Sequence, residues 1–164
     1  MELNVQRSGS GEKLLFCNGS GTTLATSQGL LRRWAESFEL LCFDYRGMGA
    51  STPVCQPYTM ADVAADVGAL LDQVGWQRVA IAGWSFGGMV AQELAVTWPE
   101  RVERLALLST SPGGSVPSFP LDSLAQLPPR ERSQQMLQLM DRRWSPEWLA
   151  ASSPAPPRTC SPRL

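Results

Sequence analysis

Residues 83–87, Gly83-Trp84-Ser85-Phe86-Gly87, place one hydroxyl between two glycines. They lie where an apolar run, "RVAIAGW" (78–84), meets a run of helical period, "FGGMVAQELAVTW" (86–98). A serine at such a junction can be held in a strained turn with its oxygen presented above a sheet. Glycines on either side let helix and strand approach closely. The next residue, Phe86, offers its backbone N–H at the start of a helix, where unpaired donors and the helix dipole favour developing negative charge. The chemistry predicted is nucleophilic attack by Ser85 on a carbonyl carbon, with the Phe86 N–H stabilising the oxyanion. The competing reading is a helix N-cap serine with glycines nearby.

A serine hydroxyl needs a base to take its proton. The 164 residues contain no histidine. A carboxylate of ordinary pKa, about 4, is too weak for the task. The single lysine, Lys13, opens the apolar run 13–19 and is expected at the opposite edge of the sheet from Ser85. The nucleophile is therefore legible without a partner.

The segments that must position Ser85 alternate between two periods. "KLLFCNG" (13–19), "ELLCFDYR" (39–46), 78–84 and "VERLALLST" (102–110) are short and apolar, as strands are when helices cover both faces of a sheet. "LATSQGLLRRWAESF" (24–38) sets Leu30, Leu31, Trp34 and Phe38 on one helical face. Thr59 and Asp62 spell a capping box, followed by Val63, Val67, Leu70, Leu71 and Val74 at three-and-four spacing, with Gly75 as the stop. Strand and helix in alternation predict an α/β fold with a mostly parallel sheet and flanking helices.

"GWSFGG", preceded by "CNGSGTT" and "FDYRGMGAS", resembles the α/β-hydrolase family in motif content, order and spacing, over residues 3 to about 150. The resemblance implies serine hydrolase chemistry on an ester or lactone, with no cofactor or metal. It maps the family's oxyanion loop onto Asn18-Gly19-Ser20, so that the N–H groups of Ser20 and Phe86 would hold the oxyanion. Asn18 departs from the usual histidine, and its amide could orient the loop instead. Asp44, Arg46, Gly47, Gly49 and Ser51 map onto a structural turn beside the site, outside the triad. The family's acid and histidine follow later strands, and neither is present here. "QQMLQLMDRRWSPEWLAA" resembles family cap sequence, whereas "SSPAPPRTCSPRL" does not. Thirteen arginines against one lysine suggest GC-rich coding, where a shifted frame yields Pro, Ala, Arg and Ser. The expectation is an incomplete fold: core 1–112, partial helical cap 113–150, disordered tail 151–164, with a frameshift or truncation near residue 150. Activity is then absent or residual, and the apolar strand 102–110, short of an outer neighbour, predicts poor solubility or a partly molten state.

Two other readings are weighed. Gly19-Ser20-Gly21-Thr22-Thr23-Leu24 with Asp44 approximates a dinucleotide fingerprint, but Leu24 stands where the third glycine belongs. A non-catalytic binding protein on the same scaffold also suits a histidine-free chain. Hydrophobic residues make up 43%, and the net charge is −1 with no basic cluster, which sets aside disorder, nucleic acid and anionic membrane. The N-terminus lacks a signal-peptide pattern and no apolar run is long enough to span a membrane, so a cytoplasmic location is expected. Cys17, Cys42, Cys55 and Cys160 form no metal-site spacing; Cys17 and Cys42 are read as small buried thiols. Trp84 and Phe86 suggest an apolar acyl site, or packing against helices. The expected partner is a small ester-like molecule, and the sequence leaves the oligomeric state open.

Overall fold

The computed structural model describes residues 1–113, 121–140 and 147. Its contacts divide the chain into two units, Met1–Val116 and Pro117–Leu164. The first contains β1 (Val5–Ser8), β2 (Glu12–Cys17), α1 (Leu24–Ala35), β3 (Phe38–Phe43), α2 (Met60–Gln73), β4 (Val79–Trp84), α3 (Phe86–Thr97), a 3₁₀ turn (Pro99–Arg101) and β5 (Val102–Leu108). The second contains α4 (Leu121–Ala125) and α5 (Pro129–Met140). The sheet order is β1-β3-β2-β4-β5. Strands β2 to β5 run parallel and β1 is antiparallel to β3. This is the mostly parallel α/β architecture expected. The tail expected over 151–164, and parts of the expected cap, lie outside the described residues.

Two apolar layers hold the sheet. On one face Leu14, Phe16, Leu40, Cys42 and Ala82 pack with Leu24 and Leu31 of α1. On the other, Leu15, Leu41, Phe43 and Ile81 pack with Val63, Val67 and Leu71 of α2 and Val90, Ala91 and Leu94 of α3. The last four residues of β2 and of β3 are buried without alternation, because both faces are covered. The buried thiols follow the same logic: desolvation holds Cys17 far above its ordinary pKa and pushes Cys42 up to about 12.

Side chains cap the first turns of α1 and α2. Thr59 and Asp62 make the reciprocal capping box of α2, and the chain leaves that helix through Gly75 at φ 71°. Helix α1 corrects the sequence reading. It stops at Ala35, and Phe38 already begins β3, paired with Glu12. The buried residues of α1 are Leu24, Ser27 and Leu31, whereas Leu30 is exposed. Leu31 and Trp34 pack against the sheet as the helical period predicts, so the correction falls on Leu30 and on Phe38, which belongs to β3. Strand β1 was not foreseen: "VQRS" is short and polar, and only its pairing with β3 makes it a strand.

β5 is apolar yet exposed. Leu105, Leu107 and Leu108 keep 39%, 43% and 40% of their surface. Among the described residues nothing pairs with its outer side.

Candidate active site

Cys17 of β2 stands beside Gly83 of β4 in parallel register, so the loops after both strands leave the sheet side by side. The first holds Asn18, Gly19 and Ser20; the second turns at Ser85. Gly19 rests against the Trp84 ring, where an added Cβ would stand 3.2 Å from Cε3.

Ser85 adopts φ 54° and ψ −118°, one of two non-glycine residues at positive φ among those described. The turn is held by its backbone. Ser85 N–H donates to the Leu108 carbonyl at 2.9 Å. The Ser85 carbonyl accepts from Gly88 N–H at 2.9 Å and from the Thr110 hydroxyl at 2.6 Å. Ser85 precedes α3, but its side chain makes no capping hydrogen bond. The helix-cap reading therefore lacks the bond that defines it, and the hydroxyl is left unpartnered among the described residues. Phe86 is the first residue of α3, and its N–H has no acceptor within the helix. Gly87 allows this closeness: a Cβ there would lie 2.0 Å from the Cys17 carbonyl oxygen.

The first loop is fixed from beneath. Asn18 is buried, and its Nδ2 donates to Ser27 Oγ of α1 at 2.9 Å. The Asn18 carbonyl accepts the buried Tyr45 hydroxyl at 2.9 Å. Tyr45 meets the Phe86 ring edge to face at 5.2 Å, joining the two loops, and burial holds its phenol well above the usual pKa. Asn18 thus anchors the loop through an amide. Ser20 is exposed at the tip, with its N–H unbonded among the described residues. The Gly19 carbonyl accepts from both the N–H and the hydroxyl of Thr22, tightening the turn.

Asp44 is buried and fully engaged. It accepts from Leu24 N–H at 2.7 Å, Asn4 Nδ2 at 2.7 Å and Ala50 N–H at 3.1 Å. Ser51 donates its hydroxyl to the Asp44 carbonyl at 2.6 Å. A carboxylate whose two oxygens are both spent on three segments of its own chain is not offered to a ribose, and Leu24 is buried where a nucleotide site needs glycine. Arg46 forks onto Asp66 of α2 at 2.6 and 2.8 Å, and this bond raises its pKa. Lys13 lies 5.6 Å from the Trp76 ring centroid, in the strand segment before the buried half of β2. Phe86 packs on Tyr45 and is half-buried, while Trp84 beside the turn is 36% exposed.

Sequence reasoning missed Tyr45, Thr110 and Gln92. Gln92 Nε2 donates to the Gly88 and Ser111 carbonyls, both at 3.0 Å. These residues act through contacts remote in the chain, and no local motif marks them. Two cavities among the described residues, of about 840 and 330 Å³, are lined by neither Ser85 nor Ser20 nor Phe86.

Comparison with known proteins supplies the wider frame. Over 98 residues the chain is 34% identical to 3-oxoadipate enol-lactonase 2 of Acinetobacter baylyi, covering 60% of this chain and 37% of that one. It is 32% identical over 114 residues to the pimeloyl-[acyl-carrier protein] methyl ester esterase of Aeromonas salmonicida, covering 68% and 43%. The crystal structure of a hydrolase from Pseudomonas aeruginosa superposes with a TM-score of 0.67 at 30% identity, over 92% of this chain and 58% of that one. The chain spans about two fifths of the length of the curated relatives it matches. The family model for the alpha/beta hydrolase fold matches residues 13–149, which takes in both loops and every strand from β2 to β5, and the chain belongs to that family.

Proposed function

We propose that these residues form the nucleophile and oxyanion half of a centre that hydrolyses small carboxylic esters or lactones. Ser85 Oγ attacks the carbonyl carbon, and the N–H groups of Phe86 and Ser20 receive the charge that develops on the carbonyl oxygen. The acyl group lies against the exposed ring of Trp84. The observation that carries the reading is Ser85 itself: a positive-φ residue between strand and helix whose hydroxyl makes no capping bond. The lactonase and the methyl ester esterase among the relatives support the substrate class. Helices α4 and α5 are taken as part of a cap, and the cell compartment as the cytoplasm.

A base and its orienting acid are needed as well, and the 164 residues contain no histidine. Proton removal therefore falls to a group outside these residues, and the 164 residues by themselves hydrolyse esters at a residual level at most. Imidazole added to the solution can stand in for such a base. Incubation with an alkyl fluorophosphonate, followed by peptide mass spectrometry, should give an adduct on Ser85 that forms faster as imidazole is raised and is absent in Ser85→Ala. An adduct on a different serine, or no adduct on Ser85 at any imidazole concentration, would refute the assignment.

A further inference from the structure

We infer that Thr110 is a positioning residue for the oxyanion donor. This rests on the roles proposed above for Ser85 and Phe86. The Ser85 carbonyl and the Phe86 N–H belong to one planar trans peptide unit, so they point in opposite directions. Fixing the carbonyl fixes the N–H. That carbonyl accepts two donors, Gly88 N–H at 2.9 Å along the helix and the Thr110 hydroxyl at 2.6 Å from outside it. Both lone pairs are then occupied, and the peptide plane cannot swing. A carbonyl that accepts hydrogen bonds also polarises its own peptide, making the N–H at its other end a stronger donor. Thr110 thus aims and strengthens the Phe86 N–H without touching substrate.

The surroundings of Thr110 suit that task. Its hydroxyl has one proton; the alternative acceptor, the Ser111 carbonyl, is 3.4 Å away, so the 2.6 Å bond to Ser85 takes it. The side chain is wedged against α3, where a Cβ on Gly88 would stand 2.5 Å from its Cβ, Cγ2 and Oγ1. Gln92 ties the following carbonyl, of Ser111, back to α3. The residue before it, Ser109, is at φ 46°, the other non-glycine residue held at positive φ. That turn brings the Thr110 hydroxyl back towards Ser85 instead of continuing along β5. The hydrogen bond thus joins Ser85, at positive φ, to the residue that follows the other positive-φ serine.

The test uses the 164-residue chain, labelled with ¹⁵N, and three variants. Thr110→Val keeps the shape and removes the donor, Thr110→Ser keeps the donor, and Thr110→Cys keeps a weak one. The Phe86 amide ¹⁵N and ¹H shifts should move upfield in Val, return in Ser and fall between in Cys. Imidazole-assisted fluorophosphonate labelling of Ser85 should slow about tenfold in Val and stay within about twofold of the parent in Ser. Loss of packing alone would not follow donor strength in this order. If Val fails to fold, Cys against Ser makes the same comparison. An unmoved Phe86 amide, or Val labelling as fast as the parent, overturns the role of Thr110. Absence of any Ser85 adduct would instead remove the nucleophile reading, and the Phe86 shifts would still decide for or against Thr110.

Discussion

Ser85→Gly should stabilise the protein, the reverse of what glycine does at ordinary positions. At φ 54° and ψ −118° Ser85 lies outside the left-handed helical well, in a region that costs an L-residue about 1–3 kcal/mol. Glycine bears no such cost there. Its greater freedom in the unfolded chain removes about 0.5–1 kcal/mol. The backbone bonds to Leu108, Gly88 and Thr110 survive the change, and the hydroxyl has no described partner to lose. Ser85→Ala provides the reference, because it loses the same hydroxyl but keeps the Cβ and hence the strain. Net, glycine should exceed alanine by about 1 kcal/mol. With a urea slope of about 2 kcal/mol/M, that is a midpoint shift of about 0.5 M, measurable by circular dichroism at low protein concentration. If alanine is instead the more stable by about 0.5–1 kcal/mol, as at unstrained positions, Ser85 stores no strain and the geometric basis of the site is lost.

Other expectations follow from single contacts. Tyr45→Phe leaves the buried Asn18 carbonyl without its donor and should cost about 1–3 kcal/mol in urea unfolding, with a smaller loss pointing to a replacement water. The hydroxyl and N–H of Thr59 hydrogen-bond the Asp62 carboxylate and hold its pKa below the ordinary value. A lowered folded pKa means stability present above the unfolded value, about 3.9, and lost as pH falls through the folded one. The Tm gap between the parent and Thr59→Ala should therefore narrow as pH is taken from 7 to below about 3, and a constant gap would exclude the carboxylate as its source. Leu107→Lys places a charge on the exposed edge strand and should lower light scattering at equal concentration, with unchanged scattering showing that association occurs elsewhere.

What the sequence revealed and what it hid divide along local and remote interactions. The capping box at Thr59 and Asp62, the stop at Gly75 and the four apolar strands depend on neighbours within a turn or on periodicity, and all are present. The turn at Ser85 was legible because its glycines are fixed by close approach: Gly87 meets a carbonyl of β2, a constraint that leaves a residue type behind. The end of α1 was misplaced because Phe38 continues the helical period by accident of spacing, while its pairing with Glu12 decides its conformation. Tyr45, Gln92 and Thr110 act across separations of 19 to 27 residues through one or two hydrogen bonds each, and nothing in a local window records such bonds.

The exposed flank of β5 has a bearing on Ser85 itself. The strand that ends in the carbonyl receiving Ser85 N–H is also an edge strand, with nothing paired to its outer side among the described residues. Outermost strands open at lower free energy than central ones. Fraying of that border loosens both bonds that this segment makes to the serine backbone, from the Leu108 carbonyl and the Thr110 hydroxyl, so the turn is only as steady as its neighbour. A polypeptide paired along β5 would quiet the Ser85 turn from a distance, and on the role proposed for Ser85 its rate of labelling would report on that docking.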